Sequence, residues 1–346
     1  EELVGELIRA CRDFFSVTVF PALQAPIGVG SAFEGWSPHG DDAVYHLLVP
    51  LKAPYGHAFS LEESIAGEKP ARNFCIRVQL KCSCVREELV ENMPCFLHHP
   101  EAEMRRHPSS HLLGFLCSDS YLDAHKTLKW FQNFVRAAWG VLPKTHPYRM
   151  KMLPSTGSCK LQLTDRLGRA FFIEIFFGLQ QDDSDIFLCS CSKEATLTTS
   201  TTWSGSCAVA EVKFFQHIAR QVPLDSYHLQ CLHVCTQNLS GKGFSASVLK
   251  AAVMHLLTST PLAGWCRRES VLRLKDILQY LKRCLEEKRL NHFFTGNDNV
   301  PREISLPFSY RMAEPLNLFQ HLLQDKAAQA RALCELEESY NKLLRL

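Results

Sequence analysis

The chain has 346 residues, of which 46% are hydrophobic and 21% are charged, and its formal net charge is +2. This is the composition of an ordinary soluble folded protein, and it argues against wholesale disorder. The small net charge gives no global attraction to nucleic acid or anionic membrane, so we expect no sequence-specific nucleic-acid binding. Fifteen cysteines, an odd number scattered over a long chain, indicate reduced intracellular thiols rather than a disulfide framework.

The first half of the chain mixes strand and helix patterns. Apolar residues at helical spacing predict helices at 1–16, 87–97 and 121–142. Alternating or clustered β-formers predict strands at 42–51, 74–85, 149–153, 159–163, 170–179 and 185–192. We interpret the polar, histidine-rich residues 98–118 as a loop, and the Ser/Thr-rich residues 196–206 as the segment that closes the strands.

The second half of the chain is helical throughout. Helical spacing recurs at 208–221, 227–239, 245–258, 270–290, 315–323 and 327–344. We therefore predict an α+β fold in which residues 1–205 form a mixed sheet core with a long central helix. Residues 206–346 are predicted to form an all-helical domain.

A glycine-serine turn precedes the first long strand. Gly28 and Gly30 form the turn, and Ser31 opens a short predicted helix, where backbone N–H groups can hold a phosphate. The strand that follows begins with acidic residues. This layout is typical of a nucleotidyltransferase site, in which the loop holds a triphosphate and strand carboxylates bind Mg²⁺. A plain turn is the alternative interpretation of Gly30 and Ser31.

Several motifs of this chain resemble one known family. They are Lys129-Trp-Phe131, Leu249-Lys250, Glu286-Glu-Lys-Arg-Leu-Asn-His-Phe-Phe-Thr-Gly-Asn297 and Ala313-Glu-Pro-Leu-Asn-Leu-Phe-Gln-His321. The family is the male-abnormal (Mab) family, and within it the motifs are most similar to those of inositol trisphosphate receptor-interacting proteins and their like-proteins. The resemblance covers nearly the whole chain. It implies a nucleotidyltransferase-like core followed by a helical domain, the architecture shared with cyclic GMP-AMP synthase.

The resemblance also implies a cellular setting. It implies single-pass membrane attachment through N-terminal segments absent from this chain, which begins at Glu1 rather than methionine, with this domain in the cytoplasm. The implied protein partners are the inositol trisphosphate receptor, with effects on calcium signalling, or a T-cell receptor signalling chain. Lys250 lies where the family has a lysine that can face nucleotide phosphates, and a salt-bridged or exposed lysine is the alternative.

The spacing of acidic residues tests whether this chain has the three carboxylates of a nucleotidyltransferase. Two stand at i and i+2 on one strand and a third on a neighbouring strand. With Val49-Pro50 as the strand end, as in active relatives, Asp42 takes the second position and the first falls on Gly40. Asp41 points to the opposite face unless a bulge intervenes. Glu174 lies on the strand face expected for the third carboxylate. The alternative interpretation is an acid on a half-solvated strand face.

One group of soft ligand types invites a zinc hypothesis: Cys82, Cys84, Cys95, His98 and His99. The spacing argues against it, because Cys95 would need a tight return to join the cysteines of the strand. We favour core thiols beside a polar loop. A basic patch near the helix from Ser270 is read as a solvated face rather than an anion surface. Its members are Arg267, Arg268, Arg273, Lys275, Lys282, Arg283, Lys288 and Arg289.

These observations lead to one principal hypothesis and two alternatives. The principal hypothesis is a pseudoenzyme, a regulatory or interaction domain with no catalytic residues, no cofactor and no bound metal. The first alternative is a residual nucleotidyltransferase that binds Mg²⁺ through Asp42 and Glu174, with Asp41 as a further candidate. The second is a nucleotide-sensing pseudoenzyme in which Gly30, Ser31 and Lys250 contact phosphate.

Overall fold

The structure is a computed structural model. It describes residues 2–14, 20–37, 44–63, 73–82, 95, 97, 98, 115–141, 147–190, 200–239 and 244–343. The chain divides into two compact units, one of residues 1–30 and 40–209, the other of residues 31–39 and 210–346. The sequence pattern places the division near residue 205 and carries no signal that the short segment 31–39 belongs to the helical unit.

The first unit is built on a mixed β-sheet. Its helices are α1 (Glu2–Phe14) and α3 (Ala124–Val141). Its strands are β1 (Ala22–Leu23), β2 (Ile27–Val29), β3 (Val44–Lys52), β4 (His57–Glu63), β5 (Asn73–Leu80), β6 (Cys117–Ser118), β7 (Tyr121–Leu122), β8 (Arg149–Leu153), β9 (Cys159–Thr164), β10 (Ala170–Gln180), β11 (Phe187–Cys189) and β12 (Thr202–Ser206).

The described strands follow the order β1-β3-β10-β11-β12-β5-β7-β6, with β2 also on β3, β4 on β5, β9 on β10 and β8 on β9. Strands β3 and β10 run parallel, whereas the other described pairs are antiparallel. The register of the parallel pair sets Glu174 beside His46. This register therefore decides the surroundings of the predicted acid.

The long helix α3 packs an aromatic residue against β10. Phe131 and Phe177 are both buried and meet edge to face, with ring centroids 4.7 Å apart. Asp123 caps the helix, since its carboxylate accepts a hydrogen bond from the Lys126 backbone N–H at 3.0 Å. The apolar stripe predicted from the sequence thus faces the sheet, and the helix begins at Ala124 rather than Tyr121.

Three parts of the sheet differ from the prediction. Strand β4 was not predicted, residues 117–118 and 121–122 are short strands, and the Ser/Thr-rich closing segment contains β12. Trp203 of β12 is fully buried and donates a hydrogen bond to the Leu122 carbonyl at 2.9 Å. Burial of this one large side chain explains why a segment with a polar composition forms an interior strand. The predicted helix at 87–97 lies largely outside the described residues.

The second unit is helical. Its elements are α2 (Ser31–Glu34), α4 (Ala208–Ala219, which begins in the first unit), α5 (His228–Leu239), α6 (Ala246–Ser259), α7 (Ser270–Glu286), α8 (Phe308–Arg311) and α9 (Lys326–Leu343), with 3₁₀ turns at Leu262–Trp265, Arg267–Glu269 and Gln320–Leu323. The predicted α+β class is confirmed. None of the described helices is both long and apolar enough to cross a lipid bilayer.

The two C-terminal family motifs pack against each other in this unit. Asn317 donates to the Lys288 carbonyl at 2.8 Å and accepts from the Leu290 N–H at 3.0 Å. Gly296 has a positive φ of 55°, and a Cβ there would lie 2.3 Å from the Ala313 carbonyl oxygen. The residue spacing of these motifs therefore reflects packing in the helical core.

Candidate functional site

Glu174 lies on β10 and is surrounded by donors. The Ser158 hydroxyl donates to Oε1 at 2.6 Å, and the Lys160 Nζ lies 3.4 Å from the same oxygen. His46 Nε2 lies 3.4 Å from the other oxygen, Oε2. The side chain is 18% exposed, so this carboxylate is held at the edge of the interior by one hydroxyl and two basic groups.

These contacts stabilise the ionised carboxylate. The contact with His46 has the largest effect, the Ser158 hydroxyl and Lys160 add to it, and partial burial opposes them. Together they hold the pKa of Glu174 at about 2, below its ordinary value of 4.5. Glu174 is thus an acceptor already occupied by the protein's own donors. Asp41, Asp42 and Gly40 lie outside the described residues, so Glu174 is the acid of the predicted set whose surroundings are known.

The glycine turn lies against the same histidine. Gly30 has a positive φ of 78°, and a Cβ on it would lie 3.3 Å from His46 Nδ1. Strand β2, which leads into the turn, pairs Val29 with His46. The glycine is therefore required by its left-handed backbone and by its close approach to His46. Ser31 begins α2, where its carbonyl accepts N–H groups from the following turn.

Lys250 lies in a buried ion cluster of the second unit. Its Nζ is 3.1 Å from Glu34 Oε1 and also contacts the Glu211 carboxylate. The Lys250 side chain is 11% exposed and that of Glu34 is fully buried. The Trp36 indole N–H also donates to Glu34. The lysine predicted as a phosphate contact therefore has two carboxylates as neighbours.

The pKa shifts in this cluster reflect burial and charge. Burial raises the pKa of Glu34, although the nearby Lys250 acts in the opposite direction. Burial alone would lower the pKa of Lys250, but the two carboxylates outweigh it and raise that pKa above its ordinary value. Lys250 is consequently held as a cation that neutralises buried negative charge.

Two cysteines and a histidine meet at the end of β5 in the first unit. The Sγ atoms of Cys82 and Cys95 are 3.9 Å apart, and Cys82 Sγ lies 3.8 Å from His98 Nδ1. The sequence did not predict this proximity, because the return of the chain to Cys82 has no signature in the spacing. Cys84 and His99, the other two members of the set, lie outside the described residues.

A cleft of about 400 Å³ opens in the second unit. Its lining residues are His255, Tyr280, Arg283, Cys284, Glu287, Arg289 and Asn291. The Arg283 guanidinium lies over the Tyr280 ring, 5.5 Å from its centroid. Arg273, predicted in the same basic patch, instead pairs with Asp276 at 3.1 Å and is only 13% exposed. Most other members of the patch are exposed, as expected for the predicted solvated face, and Arg283 and Arg289 among them also line the cleft.

The residues that sequence reasoning missed are the partners of the predicted ones. For Glu174 they are His46, Ser158 and Lys160, and for Lys250 they are Glu34 and Glu211. Each partner is distant in sequence except those of the β9–β10 hairpin, and pairing register cannot be read from a single strand. The pairing of residues across that hairpin could have indicated Lys160, which lies directly opposite Glu174.

The comparisons place the chain among known proteins. No protein-family model matches it. It is 35% identical over 356 residues to inositol 1,4,5-trisphosphate receptor-interacting protein-like 1 of Mus musculus, an alignment that covers 99% of this chain and 64% of that protein. The corresponding protein of Rattus norvegicus is 34% identical with the same coverage. The inositol 1,4,5-trisphosphate receptor-interacting protein of Homo sapiens is 30% identical over 358 residues, covering 96% of this chain and 64% of that protein.

These similarities extend over nearly the whole chain. The chain belongs to the family of inositol 1,4,5-trisphosphate receptor-interacting proteins and their like-proteins, which confirms the resemblance seen in the sequence motifs. It spans 64% of the length of these relatives. The wider placement in the Mab family stays a prediction.

Proposed function

We propose that this chain is a non-catalytic, nucleotidyltransferase-like domain that regulates other proteins by binding them. The observation that carries the proposal is the engagement of Glu174 by Ser158, His46 and Lys160. Mg²⁺ requires carboxylate oxygens that can coordinate it, and the adjacent Lys160 ammonium opposes a divalent cation. Glycine at position 40 of the sequence removes a second carboxylate from the predicted set.

The names of the relatives supply the candidate partner. Both the receptor-interacting proteins and the like-proteins are named for the inositol 1,4,5-trisphosphate receptor. We therefore propose that the protein binds this receptor and modulates its calcium release, with membrane attachment through segments outside this chain and this domain in the cytoplasm. These names favour the receptor over a T-cell receptor signalling chain as the first partner to test.

The catalytic part of the proposal is tested by turnover. The purified chain is incubated with ATP and GTP in Mg²⁺ or Mn²⁺, and products are separated by liquid chromatography and mass spectrometry beside an active nucleotidyltransferase. We expect no dinucleotide, oligonucleotide or cyclic product. Product that forms with the chain and disappears in Glu174→Gln would overturn the pseudoenzyme assignment.

Nucleotide binding without turnover is tested by thermal unfolding. We expect no shift in Tm with ATP or GTP, with or without metal. A metal-dependent shift abolished by Asp42→Asn would instead support the residual enzyme. A metal-independent shift would support nucleotide sensing, and here Lys250→Ala must be compared with and without nucleotide, because the substitution itself leaves Glu34 and Glu211 without their cation.

The partner is tested with purified components. The solubilised receptor is immobilised and the folded chain is passed over it, with heat-denatured chain as the control. In parallel, calcium release evoked by inositol trisphosphate is measured in endoplasmic-reticulum vesicles with increasing chain concentration. We expect saturable binding and a dose-dependent change in release. Absence of both would refute the receptor proposal and leave the turnover result untouched.

A further inference from the structure

Three metal-ligand side chains converge at the end of β5. The sulfur atoms of Cys82 and Cys95 and a ring nitrogen of His98 all lie within 4.8 Å of one another. Cys95 is buried, whereas Cys82 and His98 are exposed. The cluster therefore forms a shallow site with one ligand anchored in the core and two at the surface.

The backbone on both sides of the cluster is ordered by hydrogen bonds. Cys82 follows β5, and the preceding residue, Lys81, donates its N–H to the Gly56 carbonyl at 2.8 Å. The other two ligands share one turn, closed by a hydrogen bond of 3.1 Å from the His98 N–H to the Cys95 carbonyl. Zinc sites commonly take two ligands from closely spaced residues such as Cys95 and His98, and three protein ligands leave a fourth position open to water.

The distances fit a tetrahedral ion. A zinc ion with Zn–S bonds of about 2.3 Å holds two sulfurs about 3.8 Å apart, and a sulfur and an imidazole nitrogen about 3.6 Å apart. The two corresponding separations here are 3.9 Å and 3.8 Å. A disulfide, by contrast, requires sulfurs about 2.05 Å apart.

We propose that Cys82, Cys95 and His98 bind one zinc ion per chain. Two thiolates and one imidazole are donors that suit Zn²⁺ and exclude Mg²⁺ or Ca²⁺, which require oxygen ligands. Each thiol transfers its proton to solvent as its sulfur bonds to the metal, so the two thiolates neutralise the ion's double charge. The fourth position, on the exposed side of Cys82 and His98, is taken by water.

The bound ion joins the end of β5 to the Cys95–His98 turn. The two segments are separated by twelve residues of sequence, from 83 to 94, and the side chains of Cys82, Cys95 and His98 bring them into contact at the cluster. Metal binding supplies covalent-strength bonds between them and so stabilises this part of the first unit. The role is independent of nucleotide chemistry and of the proposed receptor binding.

The test uses cobalt as a spectroscopic probe of the intact, reduced, metal-free chain. Titration with Co²⁺ should give near-ultraviolet sulfur-to-cobalt charge-transfer absorption that saturates at one ion per chain, and Zn²⁺ should displace it. Cys82→Ser should weaken zinc affinity by at least about tenfold, because loss of a direct ligand exceeds the usual effect of a supporting residue. Cys334→Ser, which changes an exposed cysteine of α9, should leave both signals unchanged.

Protection from alkylation gives a second readout that does not depend on the variants folding. Zinc should slow alkylation of Cys82 and leave Cys334 in the same sample unaffected. Three results would overturn the proposal: no cobalt absorption by a chain with a native circular-dichroism spectrum, absorption retained in Cys82→Ser, or a Cys82–Cys95 disulfide in chain purified from a reducing cytoplasm.

Discussion

Glu174 is an acid on an inner strand of the sheet, and neighbouring side chains hold its carboxylate. We expect Glu174→Gln to lower the free energy of unfolding by about 1–2 kcal/mol at pH 7, because it removes charge from a carboxylate held by a hydroxyl and two basic groups. The difference should depend on pH. The folded-state pKa is depressed to about 2, so the stabilisation is present above pH 4.5 and is lost as pH falls from about 4.5 to about 2.

Urea unfolding of wild type and variant across this pH range checks the prediction. Glu303→Gln is a suitable control, because Glu303 also has two basic neighbours, His217 and Arg220, but is 56% exposed. Its effect should be much smaller than that of Glu174→Gln, because solvent screens an exposed ion pair. Equal effects of the two substitutions would show that the surroundings of Glu174 do not matter.

Lys250 is a buried cation in the core of the second unit. Lys250→Met should destabilise the protein by about 3–5 kcal/mol, because it leaves Glu34 and Glu211 buried without their cation. Adding Glu34→Gln and Glu211→Gln should recover most of this loss. Thermal and urea unfolding of both variants measure it.

Lys282→Met gives the comparison on the surface of the same unit. Lys282 pairs with Glu337 at 2.9 Å, but both side chains are about half exposed. Loss of this pair should change stability very little, because solvent screens exposed ion pairs. A loss as large as that in Lys250→Met would contradict the account of the buried cluster.

At the scale of elements, β12 holds the two halves of the sheet together. Ser204 pairs with Cys189 of β11 on one side and with Asn73 of β5 on the other. Ser204→Pro should cost about 3 kcal/mol or more, because proline removes a ladder hydrogen bond from an interior strand. Ser204→Ala, which removes only the 2.8 Å hydrogen bond to the Asn73 side chain, should cost about 1 kcal/mol. Chemical denaturation separates the two.

The elements that the sequence predicted well are those with strong periodicity. The stripe of α3, the phenylalanine-rich strand β10 and the helices α7 and α9 were located within a few residues. The helix predicted at 315–323 was wrong, because within this range only Gln320–Leu323 forms a 3₁₀ turn. Strand β12 was not predicted, because it consists mainly of Thr, Ser and Gly and its position in the sheet depends on one buried tryptophan. Short strands such as β6 form only when a partner strand is present, so no local pattern specifies them.

The neighbours of the candidate site residues were harder to predict, because they come from segments distant in sequence. The alternation of side chains along β10 correctly predicted that Glu174 shares a face with Phe172 and Phe176. The role of Glu174, however, depends on its contact with His46, which the parallel pairing of β3 with β10 brings beside it. The neighbours of Lys250 come from α2 and α4, and the contact between Cys82 and Cys95 depends on how the chain returns to β5. Such contacts between segments distant in sequence follow from tertiary structure rather than from local spacing.

At the scale of the whole molecule, buried histidines make stability depend on mildly acidic pH. Burial lowers the pKa of His57, His228 and His255, that of His228 to about 4. The unfolded chain therefore takes up protons first, and stability is lost as pH falls from about 6.5. For His228 alone we expect a loss of about 2 kcal/mol between pH 7.5 and pH 5.

Unfolding by urea at the two pH values measures this loss. His228→Gln should remove its share of the pH dependence, because glutamine does not titrate. His125→Gln, the same substitution at an exposed histidine, is measured beside it as the control. An identical pH profile for His228→Gln and wild type would contradict the assignment.

His46 lies between Gly30 and Glu174, and this arrangement affects whether evolution could reverse the proposed loss of catalysis. An acid introduced at position 40 would restore one carboxylate to the predicted set, but Glu174 would still be held by His46 and Lys160. Replacing His46 would in turn remove the neighbour against which the turn at Gly30 is fitted. Restoring a metal centre would thus require several coordinated substitutions with no benefit from the first. If the proposed loss of catalysis holds, the neighbours of Glu174 would make it difficult to reverse by single substitutions.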